Sequence, residues 1–316
     1  MATRVLLTVD TELTWGPYRR GAGWRENLAC SFDPAGVGVP WQLERLREHG
    51  LKACFFVDPM PAEVYGIEPI RRMVEPILAA GQEVQLHLHP CWQSVAEGVA
   101  EGADFELTCF GADDQRDLIE MARDLLVEAG APPPIAFRAG SYAADAGTLE
   151  ALRSLGIAYD SSHNGSHHPS PSALPLDPAQ IGPVDLGGVI EIPISQIEDS
   201  PGRLRHLQLC AVSGEELQSA LLHAVDRAHE IVTIVSHSFE LASRDGARPN
   251  RTLCRRFEAL CGFLADHADT LPTTHFADLE GLALSGEASP LPAHALRTAR
   301  RMVAQLWSNA VYERTL

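Results

Sequence analysis

Short apolar segments alternate with amphipathic segments along most of the chain. Runs of β-branched and aromatic residues predict buried strands, as at Arg4–Val9 and Ala53–Val57. Segments between them have apolar residues at helical spacing, as in Asp113–Gly130. Such alternation builds a parallel sheet, and seven or eight units over about 280 residues indicate an α/β chain closed into a barrel. An open doubly wound sheet is the alternative, although no glycine-rich nucleotide-binding motif follows any strand.

The same pattern places the remaining strands and the domain boundary. Long loops are expected after the first strand, at residues 90–111 and at 164–188, where strand and helix signals are missing. We predict one barrel domain over residues 1–283, followed at 284–316 by a linker and an arginine-rich helix. The further predicted strands are Val84–His89, Pro134–Phe137, Ile157–Tyr159, Val189–Ile194, Ile231–Val235 and a possible eighth strand at Thr273–Phe276.

Charge and cysteine content narrow the class of protein. The net charge of −17 argues against nucleic acid, or an anionic membrane surface, as the main partner. The seven cysteines show no C-x-x-C spacing, so neither a disulfide framework nor a structural zinc site is indicated. The chain starts without a signal-peptide pattern and has no apolar stretch of transmembrane length. These features predict a cytoplasmic protein.

Polar side chains gather at the carboxyl ends of the predicted strands. His87 and His89 are two residues apart on a strand, so their imidazoles should point to the same face. Parallel barrels place their active sites at this end. Taken singly, such residues have ordinary structural explanations, including turn caps, ion pairs and buried hydrogen-bonded histidines. The set that shares this position comprises Asp10, Glu12, His87, His89, Arg138, Asp160 and His237.

These residue types suit metal-dependent hydrolysis. Two histidines and a carboxylate form a hydrolytic metal site that leaves room for water. A second carboxylate can act as the base, and an adjacent arginine would orient it and keep it ionised. A histidine across the pocket can donate a proton to a leaving group. The residues therefore predict a metal-dependent active site at the strand ends.

Five short motifs in this order resemble those of the NodB-like polysaccharide deacetylases of carbohydrate esterase family 4, in a divergent intracellular branch. They are Thr8–Glu12, Gly81–His87, Phe137–Tyr142, Tyr159–Ser162 and Val235–His237. The resemblance implies a distorted (β/α)7 barrel with one divalent metal ion, most often zinc. It also implies a base at Asp10, its holder at Arg138, an acid at His237 and a support for that acid at Asp160, with Glu12 and His87 as metal ligands.

The second histidine ligand departs from the family pattern. Family members usually carry it four residues after the first, where this chain has Cys91. Strand geometry favours His89, and a loop turn would instead bring in Cys91. Substrate contacts are expected from the backbone near Ser141 and Tyr142 and from Trp15 and Trp92, although the two tryptophans suit loop packing equally well.

The resemblance implies hydrolytic removal of an N-acyl group, foremost N-acetyl, from an amino sugar or a sugar-containing biosynthetic intermediate. Without an export signal, we expect this small-molecule or glycoconjugate substrate to be intracellular. Three alternatives stay open on the sequence. A deformylase or cyclic-amide hydrolase could use the same fold, in some relatives without metal. A metallophosphoesterase or amidohydrolase could use its own His-x-His pair, although those place the pair on the first strand. A catalytically silent sugar-binding protein could keep the scaffold, although it would not need the acid and base residues.

Overall fold

A computed structural model describes residues 2–98, 106–284, 288–308 and 312, with the side chain of Trp307 left out. The strands are β1 (Arg4–Thr11), β2 (Cys54–Val57), β3 (Glu83–Leu88), β4 (Ala136–Ala139), β5 (Tyr159–Asp160), β6 (Val184–Asp185), β7 (Ile190–Glu191), β8 (Gln196–Ser200), β9 (Arg203–His206) and β10 (Ile231–His237).

Eleven α-helices lie within these described ranges. They are α1 (Trp15–Arg19), α2 (Trp24–Ser31), α3 (Val39–His49), α4 (Ala62–Tyr65), α5 (Glu68–Ala79), α6 (Cys91–Ala96), α7 (Ala112–Glu128), α8 (Ala146–Ser154), α9 (Gly214–Asp226), α10 (Arg251–Asp266) and α11 (Ala295–Ser308). Within the same ranges, no helix has both the length and the apolar character needed to cross a bilayer.

The strands form one large sheet and one separate hairpin. The sheet runs in the order β10-β1-β2-β3-β4-β5-β7-β6, and all neighbours pair in parallel except β6 with β7. The hairpin consists of β8 and β9. The sheet curls into a half-barrel with helices around it, which confirms the predicted distorted NodB-like (β/α) barrel.

Alternation along the strands separates two cores. In β1, Val5, Leu7 and Val9 join the large cluster that packs the sheet against the helices. Leu6, between them, joins a smaller cluster on the concave side with Phe56 and other strand residues. Because successive side chains of a strand point to opposite faces, Thr8 and Asp10 follow Leu6 into the concave side. The barrel interior is therefore apolar at one end and polar at the carboxyl end.

Several predicted elements differ from the structure. The predicted eighth strand is wrong: Thr273 forms a single bridge to Val5, and a 3-10 turn at Phe276–Asp278 follows. The sixth predicted strand shortens to β7 because Pro193 follows it and lacks a backbone N–H. The predicted first loop contains α1 and α2, and the loop predicted at 90–111 contains α6. Residues 99–105 of that loop lie outside the described residues.

The predicted C-terminal helix is present as α11 and is anchored to the body. Arg301 is buried and forms ion pairs with Asp199 of β8 and Glu216 of α9. Arg300 pairs with Glu215 at the surface. Residues 285–287, 309–311 and 313–316 of the predicted tail lie outside the described residues. The domain boundary at residue 283 stays a prediction.

Candidate active site

Strand register brings the predicted catalytic side chains into two neighbouring rows. Asp10 of β1 is the register partner of His237 at the end of β10. His87 of β3 is the partner of Arg138 on β4. All four lie toward the carboxyl ends of parallel strands and on the concave face, so the sheet itself assembles the site.

The buried pair of Asp10 and Arg138 forms the floor of the site. Arg138 Nη1 donates to Asp10 Oδ1 at 2.6 Å and to Thr8 Oγ1 at 2.9 Å. The rest of the guanidinium donates to the carbonyl and hydroxyl of Ser161 and stacks on the ring of Phe56. Every side of this fully buried cation is thus occupied, which compensates for its loss of water.

The ionisation state of Asp10 follows from these neighbours. Burial opposes ionisation, but the Arg138 guanidinium, with smaller contributions from His87 and His237, outweighs it and lowers the pKa of Asp10. Oδ2, the oxygen not bonded to Arg138, lies 3.9 Å from Nε2 of His237. Asp10 is therefore an ionised acceptor with one oxygen directed toward His237.

Glu12, His87 and His89 form a compact group of donor atoms. Their candidate ligand atoms all lie within 4.8 Å of one another, and within the described part of the chain this is the single such group. His89 Nε2 is 2.6 Å from Glu12 Oε2, and His87 Nε2 is 3.9 Å from the same oxygen. Two imidazoles and one carboxylate are a fitting donor set for zinc or a similar divalent ion.

Two contacts outside this group orient its imidazoles. His87 Nδ1 lies 2.8 Å from the Arg138 carbonyl, so it carries the proton and leaves Nε2 free for a metal. A Cβ added to Gly140 would come closer than 3.0 Å to three atoms of the His89 ring. Glycine at position 140 is therefore required for His89 to reach the group.

Without a metal, the group holds a proton. Burial opposes ionisation of Glu12, but His89 and His87 outweigh it and lower the pKa of Glu12 to about 2. Burial disfavours the charge on His89, yet the Glu12 carboxylate raises the pKa of His89 to about 9. For His87, burial dominates and lowers the pKa to about 4. The metal-free group is thus an ion pair of Glu12 with a protonated His89.

Cys91, the alternative ligand left open by the sequence, lies outside the compact group. It is buried at the start of α6, where burial and the nearby Asp58 and Glu12 carboxylates raise its thiol pKa. A neutral thiol is a poor zinc ligand, because the thiolate is the form that binds. The donor set of this structure therefore contains His89 and leaves Cys91 as a wall residue.

Asp58 is a further residue of the site and is not among the predicted ones. It follows the last residue of β2 directly and therefore meets the same strand-end rule as the predicted residues. Its Oδ1 accepts from the backbone N–H of Met60, and Oδ2 is buried without a partner among the described residues. Burial raises the pKa of Asp58 to about 7. It lies beside His89 and Glu12 as a further carboxyl group of the site.

His237 is held by residues that follow the β8–β9 hairpin and β10. Glu240 accepts from the backbone N–H groups of His237 and Cys210, and a carboxylate can only accept. The Gln208 amide must therefore turn its NH2 group toward Glu240, at 3.1 Å, and the same NH2 group lies 3.1 Å from His237 Nδ1. Nδ1 is then an acceptor, and the proton of His237 resides on Nε2, which faces Asp10.

Asp160 is placed differently from the expectation. No contact between Asp160 and His237 is present in the described structure. Asp160 instead accepts from Ser162 and hydrogen bonds to Glu191, its register partner on β7. Burial raises the pKa of both carboxyl groups, and each has one buried oxygen with no other partner. These two oxygens share a proton, so Asp160 and Glu191 hold the ends of β5 and β7 together and do not support His237.

Ser141 and Tyr142 adopt a backbone conformation that is rare outside glycine. Their φ angles are 55° and 61°, directly after the end of β4. Non-glycine residues at positive φ cost free energy and cluster at functional sites. The strained turn therefore directly follows the strand that carries Arg138. The Tyr142 hydroxyl is buried without a partner among the described residues.

Trp15 and Trp92 form one wall beside the metal-ligand group. A cavity of about 160 Å³ lies between Glu12, His89, Cys91 and the two tryptophans. The tryptophan rings meet edge to face at 5.4 Å, and Trp92 is fully buried. Trp92 therefore shapes the wall through packing, while Trp15 is half-buried at the cavity.

Comparison with known proteins finds similar folds among solved structures only. Neither the family models nor the curated protein sequences contain a match. Among solved structures, a protein of Mycobacterium smegmatis assigned as a polysaccharide deacetylase is 20% identical, with a TM-score of 0.54, over 96% of this chain and 91% of that one. A 4-alpha-glucanotransferase from Thermococcus litoralis is 11% identical, with a TM-score of 0.52, over 92% of this chain and 41% of that one.

A family 4 carbohydrate esterase from Streptomyces lividans, solved with acetate, is also similar, at 15% identity and a TM-score of 0.43 over 91% of this chain and 98% of that one. The fold of this chain is that of a NodB-like polysaccharide deacetylase, as in the Mycobacterium smegmatis protein. This confirms, at the level of the fold, the resemblance predicted from the strand-end motifs.

Proposed function

We propose that the protein is a metal-dependent amide hydrolase. Its reaction would remove an N-acyl group, foremost N-acetyl, from an amino sugar or a sugar-containing biosynthetic intermediate. The observation that carries this proposal is the adjacency of two units: the Arg138-bound carboxylate of Asp10, and the donor group of Glu12, His87 and His89. A purely structural ion pair would not need three metal-type donors beside it.

The donor group would hold one divalent ion, for which zinc is the best match to its nitrogen and oxygen atoms. When bound, the ion would polarise the acyl carbonyl and make water more acidic. His87 and Glu12 are already in the protonation states that a ligand needs, whereas His89 must lose its proton. These residues therefore fit the ion that the fold implies.

Asp10 acts as the base in this proposal. Its Oδ2 takes a proton from water as the water oxygen attacks the acyl carbon, while Arg138 keeps Oδ1 fixed. The proton on Asp10 Oδ2 then passes to the leaving nitrogen as the carbon–nitrogen bond breaks, which returns Asp10 to its ionised form. His237 stays neutral, with Nε2 3.9 Å from Oδ2, and directs this transfer through a hydrogen bond from Nε2 to the leaving group. The products are a carboxylic acid and an amine.

The strained turn at Ser141 and Tyr142 would stabilise the negative oxygen that forms during the reaction. We assign its backbone N–H groups to the oxygen of the tetrahedral intermediate, where preorganised donors contribute most. Trp15, packed against the buried Trp92, forms the wall against which a sugar ring would stack. Asp160 has a supporting role through Glu191, because no contact joins it to His237 in the described structure.

Asp10→Asn tests the proposal directly. Acetate release from N-acetylated amino sugars should fall by roughly 10³-fold or more, as for the loss of a general base, while metal content measured by mass spectrometry stays at one ion per chain. Asp113→Asn, on the exposed surface of α7, is the matched control. Turnover that persists in Asp10→Asn would remove Asp10 as the base.

Metal analysis separates the alternatives. If the purified protein contains no metal and hydrolyses a formyl or cyclic amide substrate, it is a deformylase or cyclic-amide hydrolase and the proposal is wrong. A metal-loaded protein that binds sugars without releasing acid would instead be a silent binding protein.

A further inference from the structure

A second cavity, of about 460 Å³, opens beside the candidate active site. It lies between the turn at residues 165–168 and the strand β9. The basic and hydroxyl side chains that line it are Ser166, His167, His168, Arg203, Arg205 and His206. No Asp or Glu is among its lining residues, although the whole chain has a net charge of −17.

The guanidiniums at this cavity are only partly neutralised. Asp199 is the carboxylate that pairs with Arg203 and Arg205, and it also pairs with Arg301 from α11. Arg301 has Glu216 as a second partner. Three guanidiniums therefore face two carboxylates, so a positive charge is left over. Nε of Arg205 is buried and has no partner in the described structure.

Hydrogen bonds connect this cavity to His237 of the candidate active site. His206 Nε2 lies 2.9 Å from Gln208 Oε1, and Gln208 Nε2 lies 3.1 Å from His237 Nδ1. The Tyr142 ring packs between the two regions, with ring centroids 5.6 Å from His167 and 6.3 Å from His206. The basic cavity is thus separated from the reacting centre by a single layer of side chains.

We propose that this basic cavity binds a phosphate group of the substrate, a few bonds away from the amide that is cleaved. This inference rests on the proposed function and specifies its substrate class: an N-acyl amino sugar that carries a phosphate or diphosphate. Two arginines provide forked donors that match phosphate oxygens, and a phosphate group would neutralise the positive charge that the two carboxylates leave over. The volume accommodates a diphosphate.

Matched substrates test the proposal. For N-acetylglucosamine and its 1-phosphate, kcat/KM for acetate release should be roughly 10- to 100-fold higher with the phosphorylated sugar, as expected for charge-assisted hydrogen bonds. Arg205→Gln should remove this preference and leave the neutral sugar unaffected. Arg203→Gln, whose side chain is 74% exposed, is a second variant that does not endanger folding.

Arg116→Gln, on the surface of α7, is the control for loss of a positive charge elsewhere. Equal kcat/KM for the two sugars, or equal effects of Arg205→Gln on both, would overturn the phosphate site.

Calorimetry with pyrophosphate keeps this test separate from the proposed reaction. Binding should be weakened roughly tenfold or more in Arg205→Gln and Arg203→Gln. It should persist in Glu12→Gln, where the metal-ligand group is broken. If no acyl sugar is hydrolysed but this pattern holds, the phosphate site stands and the proposed reaction falls. If pyrophosphate does not bind the wild-type protein, or binds all variants equally, the phosphate site falls.

Discussion

Metal binding to the metal-free protein should release about one proton. The donor group contains three titratable ligands, and their protonation states before binding differ. The pKa of Glu12 is about 2 and that of His87 is about 4, so neither carries a proton to lose near pH 7. The pKa of His89 is about 9, raised by Glu12 against the effect of burial, so this imidazole is protonated. A metal ion must displace that proton.

The pH dependence follows from this proton. At about pH 7, two units below the pKa of His89, roughly 99% of the imidazole is protonated, so protons weaken the apparent metal affinity about 100-fold. The affinity should therefore rise about tenfold per pH unit from about pH 6 to 8 and level off as the pH passes 9. The sign is fixed because the metal and the proton compete for the same nitrogen.

Calorimetric titration with zinc in buffers of different ionisation enthalpy measures the number of protons released. Chelator competition at several pH values measures how the metal affinity changes with pH. Release of about two protons would mean that the Cys91 thiol, whose pKa is raised, also binds the metal. No release would mean that His89 is not paired with Glu12. Cys91→Ser should leave both the count and the affinity unchanged, because Cys91 lies outside the donor group.

Three further changes have expected outcomes. Gly140→Ala should lower metal affinity roughly 10- to 100-fold, seen by chelator competition, because the added methyl group displaces the His89 ring. Arg138→Lys should lower kcat for acetate release by roughly 100-fold with the fold intact by circular dichroism, because lysine cannot hold Asp10 and Ser161 together. Arg301→Gln should destabilise the protein by about 3 kcal/mol in thermal denaturation, because Asp199 and Glu216 lose a buried partner.

The site was predictable where it depends on strand periodicity. Asp10, His87, Arg138 and His237 follow apolar runs, and parallel pairing alone brings such residues to one edge. Asp58 meets the same rule, and attention to every strand end would have found it.

The remaining features depend on contacts between distant parts of the chain. β6 has two residues inside the loop predicted at 164–188, too few for a periodic signal, and only its antiparallel pairing with β7 defines it as a strand. Gln208 follows the β8–β9 hairpin, and the sequence pattern predicts no strand or helix in this region. No local pattern marks it, and only the packing of that hairpin beside β10 brings it to His237.

The last prediction concerns which side chain, Asp160 or Gln208, controls the protonation of His237. If Asp160 kept His237 charged, Asp160→Asn would remove most activity and shift the pH profile of kcat. In this structure Asp160 shares a proton with Glu191, so an asparagine amide can replace that hydrogen bond. Asp160→Asn should therefore retain kcat within roughly tenfold and keep the pH profile.

Gln208→Leu tests the same point from the other side. Leucine has a similar volume but no donor for His237 Nδ1, so the proton of His237 is no longer held on Nε2. We expect a fall in kcat of roughly 10- to 100-fold with a shifted pH profile and little change in KM. A purely structural role of Gln208 would lower stability without moving the profile. In this structure the Gln208 amide, and not the Asp160 carboxylate, positions His237. If Asp160→Asn lowered kcat and shifted its pH profile more than Gln208→Leu did, Asp160 would have the role that the family pattern implies.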